Sequence, residues 1–91
     1  MPNIQTKLDW EKTALEKYTH MVSRIPLFHR ELAKQVVEKK APMLAKERGS
    51  NQVEEQDIVR SFFTEVPLAF YSLMVRLMEE AKFDYKKYEP K

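Results

Sequence analysis

Residues 25–59 read IPLFHRELAKQVVEKKAPMLAKERGSNQVEEQDIV, and this stretch decides the fold. Apolar residues recur at three- and four-residue steps from Ile25 onward, which predicts a long amphipathic helix. We expect this helix to stop at Gly49, the chain's only glycine, because a left-handed backbone carries no Cβ penalty there. After a short loop Val53 should pack inward, and the acids within 54–57 favour the positive end of another helix.

The long helix contains one residue that interrupts helical hydrogen bonding. Pro42 cannot donate to the carbonyl of Glu38, and its ring crowds that turn, so we predict a kink at 38–42 rather than two separate helices. The apolar stripe is expected to face the core, and it comprises Ile25, Phe28, Leu32, Ala33, Val36, Val37, Ala41, Leu44 and Ala45.

A first helix precedes this stretch. Asp9 is a plausible N-cap, since its short side chain can accept a hydrogen bond from the opening turn. The helix should end near Ser23, because Pro26 disfavours helical geometry in the residue before it and fits the first turn of the next helix. The apolar positions of this first helix are Trp10, Ala14, Tyr18 (or Leu15), Met21 and Val22.

Two further helices follow the loop after Gly49. The third is short, and the fourth begins after Pro67, where the sequence repeats the Ile-Pro pattern as Val66-Pro67. The third carries Ile58, Val59, Phe62 and Phe63, and the fourth carries Leu68, Phe70, Leu73, Met74, Leu77, Met78 and Ala81. We therefore predict one all-α domain over residues 1–91, closed by a helix within 60–82. The aromatic and basic tail, 83–91, should dock in part and fray at its end.

Composition limits the possible functions. Hydrophobic residues make up 43% of the chain and charged residues 33%, as in a soluble globular protein. The absence of cysteine excludes disulfides and thiolate ligation of zinc or iron–sulfur clusters by this chain. No segment has the length of a signal peptide core or a membrane span, so we expect a cytoplasmic protein without membrane contact. The net charge of +2 is small for a dedicated nucleic-acid binder.

The polar candidates give little indication of a catalytic or metal site. His20 and His29 are the only histidines, and they could bind a metal ion together with Glu16 or Glu31 as a third ligand. No HxxxH or ExxH spacing supports such a site, so no metal site is predicted. No catalytic triad order, phosphate-binding glycine loop or paired-carboxylate motif is present, and no cofactor is expected. Arg30 could bind a carboxylate or phosphate ligand, but an internal salt bridge to Glu38 or to an acid of the first helix is the favoured interpretation.

The remaining clusters have ordinary structural interpretations beside functional ones. The lysines at 34, 39, 40 and 46 form a basic face, but glutamates interleave with them, which is typical of a solvated surface. Met21, Met43, Met74 and Met78 could form an adaptable partner groove, although gap-filling in the core is the simpler reading. The aromatic residues interpreted as core are Trp10, Tyr18, Phe28, Phe62, Phe63 and Phe70.

The fourth helix is apolar over much of its circumference, because Tyr71 and Val75 broaden its stripe. Such a helix is normally covered on more than one side, and large exposed apolar patches usually mark interfaces. We predict a contact surface on this helix with part of the tail; the alternative is that the tail folds back and closes the core within one chain. The candidate interface residues are Phe70, Tyr71, Met74, Leu77 and Met78.

An ordered set of residues resembles the small C-terminal domain of the light-independent protochlorophyllide reductase B subunit. The resemblance covers about residues 8–59 and rests on Trp10, Pro26, Phe28, Arg30, Glu38, Gly49 and Val53, among others. The intervals 10–26 and 38–49 are each about four residues longer than in that family, which is about one helical turn and would keep neighbouring helices in register. The segment from Phe62 onward has no counterpart.

The resemblance implies a compact helical accessory domain without the reductase's own chemistry, since the cluster and substrate cavity belong to a part of that subunit absent here. The expected function is a non-catalytic protein-interaction module that contacts a larger enzyme subunit or forms a homodimer. An alternative is a small histone-like nucleic-acid-binding protein, because residues 48–59 after a long helix resemble the end of a histone fold. A tetrapyrrole carrier is a third possibility, which would require an apolar cleft.

Overall fold

The computed structural model describes residues 9–88, which form an all-α domain with one two-residue strand pair. In chain order the elements are β1 (Asp9–Trp10), α1 (Lys12–Arg24), α2 (Leu27–Glu47), β2 (Gln52–Val53), α3 (Glu55–Glu65), a 3₁₀ turn (Leu68–Phe70), α4 (Tyr71–Glu80) and α5 (Tyr85–Tyr88). The predicted fold class is confirmed. The fourth helix is shorter than expected, because its opening residues form the 3₁₀ turn. The predicted frayed end of the tail lies at 89–91, outside the described residues.

A parallel strand pair fixes where α1 begins. Asp9 pairs with Gln52 and Trp10 with Val53, and the Glu11 amide donates to the Val53 carbonyl at 2.8 Å. Because this pairing extends through Trp10 and α1 begins only at Lys12, the prediction that Asp9 caps α1 is wrong. Glu11 is the N-cap instead; its carboxylate accepts from the amides of Ala14 at 2.8 Å and Thr13 at 3.1 Å. These two bonds lower the pKa of the Glu11 carboxyl.

The end of α2 follows the predicted glycine geometry. Gly49 has φ +81°, its amide donates to the Lys46 carbonyl, and the Ser50 amide donates to the Ala45 carbonyl at 2.9 Å. These two bonds define a Schellman motif, which satisfies carbonyls left open at the helix end. The helix is continuous through Pro42, as predicted, while the bend at 38–42 stays a prediction.

An ion pair beneath this turn joins α2 to α3. The Arg48 guanidinium donates to both carboxylate oxygens of Asp57, at 2.9 and 2.7 Å, and the Asp57 side chain is fully buried. The same carboxylate accepts from the Glu54 amide at 2.8 Å, which completes a capping box at the start of α3. The hydrogen bond with Asp57 raises the pKa of Arg48. The buried charge is therefore both paired and hydrogen-bonded, as burial requires.

The core lies on one part of α2 only. Val37, Ala41 and Ala45 are buried completely, whereas Phe28 and Leu32 of the same stripe are 90% and 63% exposed. The predictions that Phe28 and Leu32 face the core are wrong, whereas Ile25 is buried as predicted and Ala33 and Val36 pack partly against the core. The buried apolar residues are Ala14, Tyr18, Met21, Val22, Ile25, Val37, Ala41, Ala45, Val53, Ile58, Val59, Phe62, Met74, Leu77, Met78, Ala81, Phe83 and Tyr85.

The tail folds back onto the core after a second Schellman turn. Lys82 adopts φ +71° and the Phe83 amide donates to the Met78 carbonyl at 2.9 Å. Phe83 is buried, and the Glu55 carboxylate accepts from the Asp84 amide at 2.8 Å while pairing with Lys17 at 2.7 Å. One carboxylate thus ties α1, α3 and the tail together.

The two left-handed turns give a matched pair of stability predictions. Lys82→Gly should raise the free energy of unfolding by about 0.5–1 kcal/mol, because glycine relieves the left-handed penalty. Gly49→Ala should lower it by about 1 kcal/mol through backbone conformation alone, since an added Cβ would meet no atom within 4 Å. Urea unfolding measures both. Lys39→Gly, in the interior of α2, is the control and should destabilise by about 1 kcal/mol. A Lys82→Gly variant no more stable than the wild type would contradict the assignment.

The Arg48–Asp57 pair yields a larger effect. Arg48→Ala leaves Asp57 buried without its cation and should lower the free energy of unfolding by about 3–5 kcal/mol. Arg48→Lys keeps the charge but cannot donate two parallel hydrogen bonds to Asp57, so we expect a smaller loss in the free energy of unfolding than for Arg48→Ala. This variant also tests the prediction if Arg48→Ala does not fold. The control is Arg24→Ala, which removes the exposed Arg24–Glu80 pair and should cost less than about 1 kcal/mol. Equal losses for Arg48→Ala and Arg24→Ala would overturn the prediction.

Candidate functional site

An apolar groove opens at the end of the molecule where Pro26 and Pro67 precede α2 and the 3₁₀ turn. Its volume is about 220 Å³. The lining residues are Met21, Ile25, Pro26, His29, Leu32, Ala33, Val36, Phe62, Glu65, Val66, Pro67, Phe70, Leu73, Met74 and Leu77. Only His29 and Glu65 among them carry ionisable side chains. The groove can therefore accept an apolar group and offers polar contacts at two positions only.

Most of the exposed large apolar side chains lie around this groove. Five of them, with exposures from 40% to 90%, form what we call the apolar end patch: Leu27, Phe28, Leu32, Leu68 and Phe70. The His29 ring connects the two sides of the patch, with its centroid 4.9 Å from that of Phe28 and 5.0 Å from that of Phe70. An apolar cluster of this extent is uncommon on the surface of a monomer and usually marks a binding surface.

Two similar helix starts build the patch. Ile25-Pro26-Leu27 and Val66-Pro67-Leu68 each place a proline before a helical turn and a leucine just after it. The proline carbonyls accept from the amides of His29 and Phe70, both at 2.9 Å. Leu27 and Leu68 are 77% and 85% exposed, so both starts direct a leucine toward solvent.

Arg30 holds the first of these starts in place. Its guanidinium donates to the Ile25 carbonyl at 3.2 and 3.0 Å and to the Ser23 carbonyl at 3.0 Å. The salt bridge predicted for Arg30 is therefore wrong. The cation binds carbonyls at the negative end of α1 instead, where a positive charge is favourable.

The structure corrects the predicted interface on the fourth helix. Met78 is completely buried, and Met74 and Leu77 are nearly buried and reach the surface only in the lining of the groove, so they do not form an open helix face. The tail folds back at Met78, where the Phe83 amide donates to the Met78 carbonyl, which agrees in part with the alternative stated above. Phe70 stays 40% exposed and Tyr71 is half-buried. The accessible apolar surface therefore lies beside the predicted one and includes Phe28, which periodicity had assigned to the core.

The residues that carry the family resemblance hold the fold, with one exception. Trp10 and Val53 pair in the strands, and Gly49 ends α2. Pro26 and Arg30 form the turn between α1 and α2, and Glu38 accepts from the Tyr18 hydroxyl at 2.9 Å. Phe28 is different, because its side chain is 90% exposed and contributes little to the core.

A second cleft lies between α1 and α2, with a volume of about 1,000 Å³. Lys34, Lys39 and Lys46 of the basic face line it, together with the acids Asp9 and Glu38. Its other lining residues are Trp10, Leu15, Tyr18, Thr19, Val22, Pro42 and Met43. Both signs of charge alternate along this cleft, so it lacks the one-sided basic character of a nucleic-acid surface.

Within 9–88, no three His, Cys, Asp or Glu side chains are grouped so that they could hold a metal ion. No single helix in the same range is long and apolar enough to cross a membrane; Glu55–Glu65 and Leu68–Glu80 reach that length and composition only together, across a 120° bend.

Tyr18 is the buried ionisable group beside the second cleft. It is 5% exposed, and its ring lies 5.2 Å from Trp10 and 6.4 Å from Phe62 between centroids. Burial raises the pKa of the Tyr18 phenol well above its ordinary value, and the hydrogen bond to the Glu38 carboxylate raises it further. The folded chain therefore retains the phenol proton at a pH at which the unfolded chain releases it.

This difference predicts a loss of stability in alkali. The unfolded phenol ionises near pH 10, so above about pH 10 the unfolded state binds fewer protons and the free energy of unfolding falls by up to about 1.4 kcal/mol per pH unit. Tyr18→Phe should be less stable than the wild type at pH 8, by about 0.5–1.5 kcal/mol, and the gap should shrink above about pH 10. Urea unfolding of both proteins at pH 8 and above about pH 10 measures the difference in their free energies of unfolding. A gap that stays constant with pH would contradict this account.

Comparison with known proteins gives one match and two negative results. No curated protein matches the chain, and no solved structure does. One family model, described as "Protein of unknown function (DUF2621)", matches residues 3–91 and thus nearly the whole sequence. The match includes the groove, the apolar end patch and the tail that closes the core. The chain therefore belongs to the DUF2621 family.

Proposed function

We propose that this protein is a non-catalytic protein-interaction module that binds an apolar segment of a partner protein in the groove beside α2. The observation that carries the proposal is the apolar end patch: Leu32 and Phe70 line a groove whose only ionisable lining groups are His29 and Glu65, and the Phe28 ring lies against that of His29. Leu27 and Leu68 are exposed directly after the two prolines of the same lining. Burial of such side chains contributes about 25 cal/mol per Å² of apolar area, which makes this end the most favourable surface for association.

The construction of the site supports binding rather than chemistry. Arg30 is engaged with backbone carbonyls, and the nearby Arg24 pairs with Glu80 at 3.3 Å. His29 and Glu65 are the ionisable side chains of the groove lining, and the rest of the lining is mostly apolar, which favours binding of an apolar group. Recognition by an apolar groove with a few rim contacts is the mode used for amphipathic partner segments.

The resemblance to the reductase B-subunit domain fits this role, since that domain is an accessory element. A larger enzyme subunit as partner remains a proposal that rests on the resemblance. Phe28 belongs both to the residues that carry the resemblance and to the apolar end patch. An exposed aromatic residue with few fold contacts is typical of the anchors that dominate binding energy at interfaces.

Binding of 8-anilinonaphthalene-1-sulfonate to the folded protein tests whether the groove accepts an apolar group. We expect dye fluorescence to rise and amide resonances of residues 26–36 and 66–77 to shift in NMR spectra. Phe70→Asp should reduce the dye affinity at least about 10-fold, because it places a charge at the mouth of the groove.

Leu15→Asp is the matched control. Leu15 is 43% exposed, close to the 40% of Phe70, but it lines the second cleft. This variant should leave the dye affinity unchanged. Loss of binding in Leu15→Asp with no effect of Phe70→Asp would assign the binding surface to the second cleft and overturn the proposal. A wild-type protein that is monomeric and binds no dye would do the same.

A further inference from the structure

We propose that the groove binds Phe28 of a second copy of this chain, so that the protein forms a symmetric dimer through the apolar end patch. This inference rests on the proposed function and names its partner. In a two-fold dimer the same surface serves both copies, so it must contain a projecting group and a recess that receives it. The apolar end patch contains both.

Phe28 is the projecting group. Its side chain is 90% exposed, and it is absent from the lining of the groove although the neighbouring His29 and Leu32 line it. The recess has a volume of about 220 Å³. A dry apolar cavity of about 150 Å³ binds benzene, so this recess is large enough for a phenylalanine ring.

The surface area agrees with a dimer. If the five side chains of the apolar end patch were fully covered, each chain would lose on the order of 600 Å² of solvent-accessible surface, and the pair twice that area. Stable protein interfaces bury roughly 1,200–2,000 Å² in total, so the apolar end patch with its polar rim reaches this range.

The charges around the patch disfavour an anionic surface as the occupant. Arg30 is occupied by the carbonyls of Ser23 and Ile25, and Arg24 pairs with Glu80. An anionic lipid or nucleic acid would meet the carboxylate of Glu65 at the groove without a compensating free arginine at these positions.

Sedimentation equilibrium of the full chain over a range of concentrations tests the dimer. The wild type should pass from monomer to dimer as its concentration rises. Phe28→Asp should weaken the dimer about 100-fold or more, since two anchors are lost per dimer. It should leave the urea unfolding midpoint of the monomer nearly unchanged, because Phe28 is 90% exposed. The control Leu15→Asp should dimerise as the wild type does.

Disulfide trapping tests the proposed contact directly. The chain contains no cysteine, so an introduced cysteine is the only thiol in each variant. Phe28→Cys chains mixed with Leu73→Cys chains should form mixed disulfide dimers under mild oxidation, because Leu73 lines the groove. Phe28→Cys chains mixed with Leu15→Cys chains should form few mixed disulfide dimers, because Leu15 lines the second cleft.

The outcomes separate the dimer from the proposed function. A wild type that stays monomeric but binds the dye through Phe70 overturns the dimer and leaves an interaction module for another protein. A monomer that binds no dye overturns both. A dimer unaffected by Phe28→Asp uses another surface and overturns the inference. A monomer that sediments with phosphatidylglycerol vesicles in a Phe28-dependent manner identifies a lipid surface as the occupant instead.

Discussion

The buried carboxylate of Asp57 is the constraint on which the other contacts depend. Arg48 at the end of α2 must reach it, and the chain between them must therefore turn back within a few residues. That turn contains β2, whose pairing with β1 sets the position of α1. The charge also orders the first turn of α3 through the Glu54 amide. A single paired charge thus connects three helices and the strands, which matters in a chain too small for an extensive core.

Much of the fold could be predicted because its signals are local. Gly49 ends α2 in a left-handed turn, and the acids after Val53 cap α3, since each acts within a few residues of its own helix end. The start of α1 could not be predicted in this way. Glu11 rather than Asp9 caps it because pairing with a strand more than forty residues later runs through Trp10 and delays the helix to Lys12, and no pattern near Asp9 contains that pairing.

The candidate site was harder to predict for a different reason. Periodicity identifies an apolar stripe but not the length over which another element covers it. The stripe on α2 is buried from Val37 to Ala45 and open at Phe28 and Leu32, while on α4 Met78 is completely buried and Leu73 lines the groove. Both outcomes depend on where the tail and α3 pack in space. The position of the groove therefore follows from tertiary packing, although its residues are visible in the sequence.

The two prolines at this end have a consequence for hydration. Pro26 and Pro67 have no amide hydrogen, and their carbonyls accept bonds from His29 and Phe70. Arg30 occupies the carbonyls of Ser23 and Ile25 nearby. Neither proline can supply a side-chain cap, so the first amides of α2 and of the 3₁₀ turn, at Leu27 and Leu68, keep water as their hydrogen-bond partner. A partner that dries this end must therefore bring acceptors for these amides, a demand that a capped helix start would not make.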